Sequence, residues 1–216
     1  MRVSDIALAP LSYMPLRLLR LFGSAIGIIA FYTLPRLRKR ALSNLALATD
    51  LALSPSAIRK MARDSMRSLA TALLEYPRLS RGRIETIATS INPDEALGLM
   101  KQGGTIFFCA HQANWEVLFL EGSRRMPGAA IGRRLSSPML DRWVRRLREQ
   151  YGGIMIPQRD AMRLGLSMLR EGRFLGIVGD QALPKSSYSC DFLGRRATTS
   201  PLPALLAYKT GAPLFF

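Results

Sequence analysis

Apolar and polar positions alternate with two different periods along this chain, and the change of period divides it. In "SPSAIRKMARDSMRSLATALLEYPRL" Ser54 suits an N-cap, Pro55 suits the first helical position, and Ile58, Met61, Met66, Leu69, Leu73 and Leu74 recur at helical spacing. The spacing predicts an amphipathic helix ending before Pro77. A short helix, "DEALGLMKQGG", follows Asn92-Pro93 and is closed by glycines, and "TIFFCA" after it is too short and too rich in β-formers to be anything but a buried strand. Alternation continues to the end: a helix from about Asn114 to Arg125, a strand near "AAIG", the helix "PMLDRWVRRLREQYGG", the strand "IMIP", the helix "RDAMRLGLSMLREGR" and the strand "FLGIVGD". A loop, the helix "PLPALLAYKTG" and the strand "APLFF" follow. Strands alternating with helices predict an α/β fold, a largely parallel central sheet flanked by helices, with functional groups beyond the carboxyl ends of the strands. The last strand stops at Phe216 without a turn, so the chain is expected to be C-terminally incomplete or to leave that strand bare at the sheet edge.

The N-terminal pattern is different. From Leu21 to Leu34, "LFGSAIGIIAFYTL" carries no charge, with Arg17 and Arg20 before it and Arg36, Arg38, Lys39 and Arg40 after it. That is shorter than the roughly 20 residues of a perpendicular spanning helix. Flanking arginines favour a helix lying in, or dipping into, one leaflet with its cations among the headgroups, over a buried core helix. A cleaved signal peptide needs small residues where Phe31, Tyr32 and Leu34 stand. The expected division is therefore a membrane-associated helix over residues 1–40 and one α/β domain over residues 41–216, with the cationic run on the cytoplasmic side.

Composition adds a partner. The 216 residues, 48% hydrophobic, can bury a sizeable core, and 31 Lys+Arg against 15 Asp+Glu give a formal net charge of +16. Such a surface attracts something anionic: nucleic acid, an acidic protein or phospholipid. The nucleic-acid reading lacks a phosphate-cradling G-x-x-x-x-G-K-[ST], an RNP-like strand and finger spacing. Cys109 and Cys190 lie far apart, in an apolar run and a polar loop, which favours neither a disulfide framework nor a thiolate metal site. One histidine with scattered carboxylates does not make a zinc site.

That histidine, His111, ends the strand "TIFFCA", and Glu116 follows five residues later. On one continuous helix the two side chains would stand about 140° apart and would not meet. With His111 in the turn and the helix starting near Asn114, Glu116 falls in the first turn and can reach back to fix the imidazole tautomer, leaving the other ring nitrogen to take a proton from a hydroxyl. Two more strand ends carry polar groups: "GIVGDQ" delivers Asp180 and Gln181, and "AAIGRR" delivers Arg133 and Arg134. Along "DRWVRRLREQ", Arg142, Arg145 and Arg146 share a face with Glu149 while Arg148 projects elsewhere.

The segment "AHQANWE" resembles the His-x4-Asp/Glu signature of glycerolipid acyltransferases, and the ordered set looks like the late (lauroyl and myristoyl) acyltransferases of lipid A biosynthesis. The set includes "RALSNL" around Asn44, "LLEYPRL" around Glu75, "GRRLSSPMLDRWVRRLREQYGG", "VGDQ", and "FLGRRATT" followed by "LLAYKTGAP". Together these cover most of the chain from about Leu11 onward. The resemblance implies catalytic roles for His111 as general base, Glu116 as its orienting acid, Arg148 as a guanidinium needed for activity and Asp180 as a group holding the site together. It implies substrate-binding roles for Arg133, Gln181 and Thr199, no cofactor and no metal. It also implies an acyl carrier protein as donor, an anionic glycolipid acceptor, and a place on the cytoplasmic face of the inner membrane. Gly132 stands where the family usually shows tyrosine, and Leu202 and Pro203 where it shows glycine; both departures bear on the acceptor. A mannosylated phosphoinositide acceptor and a noncatalytic membrane adaptor are the competing expectations.

Overall fold

The computed structural model describes residues 9–88, 93–181 and 188–216. Its helices are α1 (Ala9–Tyr13), α2 (Leu16–Thr33), α3 (Pro35–Ala46), α4 (Pro55–Leu79), α5 (Pro93–Lys101), α6 (Glu116–Arg125), α7 (Pro138–Glu149), α8 (Ala161–Arg170) and α9 (Leu202–Thr210). Its strands are β1 (Thr105–Cys109), β2 (Gly128–Gly132), β3 (Ile154–Pro157), β4 (Phe174–Val178), β5 (Tyr188–Phe192), β6 (Arg195–Thr199) and β7 (Leu214–Phe215). By their internal contacts the residues form two units: those up to Gly82 with Ser189–Thr198, and Arg83–Tyr188 with Thr199–Phe216.

The second unit holds the expected α/β architecture. A five-stranded sheet has the order β3-β2-β4-β1-β7, and every pairing in it is parallel. Neighbouring residues on a strand point to opposite faces. On one face Ile106, Leu175 and Ile156 pack with Leu169 of α8 and Leu206 of α9. On the other, Phe174 and Phe107 pack with Phe119 of α6 and Met100 of α5. Helices on both faces are what a parallel sheet needs, since each crossover leaves one there.

The first unit is helical. The buried residues of α2 are Leu19, Gly23, Gly27 and Phe31, a ridge of spacing four that lies against α4. The two glycines set how close the helices come: a Cβ on Gly23 would stand 2.6 Å from Thr71 Cα, and one on Gly27 would run into the backbone of Met66 and Arg67. Arg20 Nε donates to Glu75 Oε1 at 2.8 Å, and Arg67 Nε donates to Ser24 Oγ at 2.7 Å, so the helices run antiparallel. By length and composition α2 could cross a membrane, yet one of its stripes is covered by α4. Leu21, Phe22, Ile29 and Tyr32 on its other side are each more than half exposed.

Ser54 caps α4 as expected, accepting from the Ala57 N–H at 3.2 Å. The helix does not stop before Pro77; it continues to Leu79. Proline removes one hydrogen bond there, but Tyr76 and Leu79 are buried and the buried Arg78 guanidinium bonds the Met14 carbonyl, so packing outweighs local preference. The stretch after β4 taken for a loop contains the two-stranded sheet β5-β6. Leu193 and Gly194 join its strands with φ of 51° and 80°, the left-handed pair of a two-residue hairpin turn. A Cβ on Gly194 would meet Thr49 Oγ1 and lie 2.6 Å from Asp50 Oδ1, so the turn is seated against the segment between α3 and α4.

Candidate active site

Strand register builds the centre of the site. Cys109 at the end of β1 is level with Val178 at the end of β4, and the Gly179 N–H continues the ladder to the Cys109 carbonyl at 3.1 Å. His111 and Asp180 each come two residues after those partners, so the register brings them side by side. One carboxylate oxygen of Asp180 accepts the His111 backbone N–H at 2.9 Å, and the other lies 2.6 Å from His111 Nδ1. Burial works against ionisation of Asp180, but hydrogen bonds from the His111 ring and backbone outweigh it and hold the carboxyl below its usual range. An ionised carboxylate only accepts, so Nδ1 carries the shared proton, and in a neutral ring that leaves the lone pair on Nε2. The Trp115 ring meets the imidazole edge-on, with centroids 4.8 Å apart. Between them Ala113 has φ of 45°, a left-handed turn that folds the loop back on itself.

Asp180 thus occupies the ring position that sequence reasoning gave to Glu116. Helix α6 starts at Glu116, with Trp115 as its N-cap, two residues later than the expected start near Asn114. Glu116 is buried in that first turn, and its two oxygens take a fork of hydrogen bonds from Arg148, Nε to Oε2 at 2.8 Å and Nη2 to Oε1. A buried carboxylate without such a partner would be strongly unfavourable. Arg148 lies near the end of α7; Arg145, three residues earlier on that helix, pairs with Glu149 at 3.0 Å. The four residues expected to be catalytic therefore form two pairs, His111 with Asp180 and Arg148 with Glu116.

Cys109 lies half-buried below them. Burial first, then the charges of Asp180 and Glu116, push its thiol up, so the sulfur stays protonated and is a poor nucleophile. Proton abstraction from a hydroxyl by Nε2 is the chemistry the centre supports.

Beyond β2 and β3 a cavity of about 320 Å³ is lined by Arg133, Arg134, Arg145, Arg148, Arg159 and Asp141 among others. Arg133 belongs to this arginine cleft, as a strand-end position predicts. Gln181 follows Asp180 and is exposed, and Thr199 closes β6. Sequence reasoning missed Arg145 and Arg159 as cleft residues and Trp115 as a neighbour of the imidazole. Arg159 had a signal, since it lies two residues past the end of "IMIP"; Trp115 had none beyond lying between His111 and Glu116.

No curated protein matches the chain. A family model described as bacterial lipid A biosynthesis acyltransferase matches residues 4–215.

Proposed function

Because the chain belongs to the bacterial lipid A biosynthesis acyltransferase family, we propose that it moves a fatty acyl chain from an acyl carrier protein thioester to a hydroxyl of a lipid A precursor or related glycolipid. His111 is the general base: Nε2 takes the hydroxyl proton as the oxygen attacks the thioester carbonyl. Collapse of the tetrahedral intermediate breaks the carbon–sulfur bond, and the departing thiolate takes the proton back from the imidazolium. Asp180 fixes the tautomer and stabilises that imidazolium. Arg148, held in place by Glu116, is the guanidinium available to the oxyanion, a role whose loss costs about two to three orders of magnitude in rate. The observation that carries this reading is the 2.6 Å contact between His111 Nδ1 and Asp180 at the carboxyl ends of two adjacent strands.

Arg133, Gln181 and Thr199 contact the substrates in this reading. An acidic carrier suits a net charge of +16, and a phosphorylated acceptor suits the arginine cleft. The exposed apolar side of α2, flanked by arginines, brings the enzyme to the cytoplasmic face of the inner membrane where the acceptor lies. Mass spectrometry of membrane lipids incubated with the purified protein and acyl carrier thioesters tests the proposal. A gain of one acyl chain on one phosphorylated glycolipid class is expected. His111→Ala is expected to lower the rate by about four orders of magnitude, and unchanged acylation by that variant would remove catalysis from the account.

A further inference from the structure

We propose that Trp115 is a positioning residue: its indole holds the His111 ring in the plane that aims Nε2 at the acceptor hydroxyl and keeps water off that side of the ring. The proposal rests on the acyltransferase reading above. It gives the centre a second fixed point, with a consequence for which oxygen attacks the thioester.

Asp180 alone does not fix the ring. One of its oxygens accepts the His111 backbone N–H at 2.9 Å and the other lies 2.6 Å from Nδ1, so Nδ1 is the one ring atom it ties. A ring tied at one atom still pivots about that bond, and Nε2 on its far side travels with the pivot. The side chain is 32% exposed, so enclosure does not stop the motion either. What opposes it is Trp115, whose ring centroid is 4.8 Å away with the two planes at 69°. Turning the imidazole out of this favourable edge-to-face arrangement loses the contact in one direction and drives atoms together in the other. Among the described residues, Asp180 and Trp115 are the hydrogen-bonding, ionic and ring partners of the His111 side chain.

Trp115 is in turn held from both sides along the chain. Before it, Ala113 takes a left-handed φ of 45° and folds the loop back. The Asn114 and Trp115 carbonyls then accept the Val117 and Leu118 N–H groups at 3.1 and 3.2 Å, which starts α6. After it, the buried Glu116 carboxylate is gripped by the Arg148 fork. The indole therefore sits on a fixed support. It is not placed there to fill the core, since it belongs to neither of the clusters that pack the two faces of the sheet. Its N–H has no hydrogen-bond partner among the described residues. A partly buried tryptophan with neither of those uses has the imidazole as its purpose.

Covering one side of the base also selects the nucleophile. When the acceptor hydroxyl gives its proton to Nε2, the product is an ester. When water does so, its oxygen bonds to the thioester carbonyl carbon, the carbon–sulfur bond breaks, and the proton passes from the imidazolium to the departing thiolate. A free fatty acid and a thiol result, and the donor is lost. An apolar ring against an otherwise exposed imidazole removes positions from which water can reach Nε2.

Two measurements test the assignment. The chain has a single histidine, so nitrogen-15 labelling of histidine reports on this imidazole alone. In detergent micelles the wild type is expected to show one sharp set of ring signals, with the proton on Nδ1 and cross-relaxation to a tryptophan ring. In Trp115→Ala the Nδ1 proton is expected to remain, because Asp180 is untouched, while the ring signals broaden as the imidazole pivots. In the second measurement, acyl transfer and thioester hydrolysis are followed together. In Trp115→Ala the kcat of transfer is expected to fall by about tenfold to a hundredfold with the acceptor KM unchanged, and the ratio of hydrolysis to transfer to rise by a similar factor. Trp115→Phe, which keeps a flat ring beside the imidazole, is expected to recover most of both. Ring signals as sharp in Trp115→Ala as in the wild type, or an unchanged hydrolysis ratio, overturn the proposal. Equal losses of kcat in Trp115→Phe and Trp115→Ala, with a lowered melting temperature in both, overturn it too and leave the indole a role in folding alone. A wild type that acylates no acceptor overturns the acyltransferase reading; the histidine signals of Trp115→Ala then decide by themselves whether the indole holds the ring.

Discussion

The two units expose different things. In the sheet unit Ile106, Leu175 and Leu206 are fully enclosed, and the groups carrying charge, His111, Asp180 and the cleft arginines, stand at the strand ends. In the helical unit Glu75 and Arg78 are enclosed, at 3% and 5% exposure, while Leu21, Phe22, Ile29 and Tyr32 face outward. The outward apolar side of α2, flanked by arginines, is the surface that the proposed membrane contact uses. In the proposed function chemistry falls to one unit and lipid contact to the other, and each can be disturbed without the other.

The largest separation is expected from Asp180→Asn. The side chain keeps its shape but no longer favours the Nδ1–H tautomer or the imidazolium, so kcat is expected to fall by about two to three orders of magnitude while binding to vesicles stays as it was. The pair also carries a pH signature. Asp180 has a carboxyl held below its usual range in the folded protein, so its contribution to stability is complete above about pH 4 and is lost as the pH falls through the folded value. Thermal melts between pH 3 and 7 are expected to show this loss in the wild type and a shallower one in Asp180→Asn. A loss of vesicle binding in that variant would break the division.

Next in size is Leu21→Asp/Ile29→Asp, which puts charge on the outward stripe of α2. Each side chain is worth about 1–2 kcal/mol of lipid contact, so partition onto anionic vesicles is expected to fall at least tenfold, read by co-sedimentation. Turnover of a short, water-soluble acceptor is expected to stay near the wild-type rate. The smallest effect is expected from Gly194→Ala. Its Cβ would collide with Thr49 and Asp50 at a left-handed position, and a loss of about 1–2 kcal/mol in chemical denaturation is expected, with the His111 centre unaltered.

Much of this was legible before any coordinates, and the failures have physical causes. The strands around "TIFFCA", "IMIP" and "FLGIVGD" announce themselves because a parallel sheet buries both faces, which makes its strands short apolar runs. The placement of His111, Asp180 and Arg133 at strand ends follows from the same signal. Which carboxylate reaches the imidazole does not, because that depends on β4 lying next to β1, and pairing order leaves no trace in local periodicity. Glu116, five residues away, looked the nearer partner along the chain, and Asp180, sixty-nine residues away, is the one at 2.6 Å. The strands "YSCDF" and "RRATT" were hidden for a different reason: both are mostly exposed, so neither shows the apolar alternation that marks a half-buried strand. Pro77 misled because a proline usually ends a helix, and here the residues around it are enclosed.

The hairpin seated on Thr49 and Asp50 makes the chain enter the helical unit twice, once up to Gly82 and again from Ser189 to Thr198. Trimming away the N-terminal helices to obtain a more soluble fragment would therefore remove more than the exposed apolar side of α2. Expressed from Arg83 onward, the polypeptide would carry a two-stranded finger stripped of its seat, ten residues of ordered backbone turned into a handle for proteases and for unwanted strand pairing. Solubilising changes on the outward stripe of α2 leave that finger its socket, and are the better route to a monodisperse preparation.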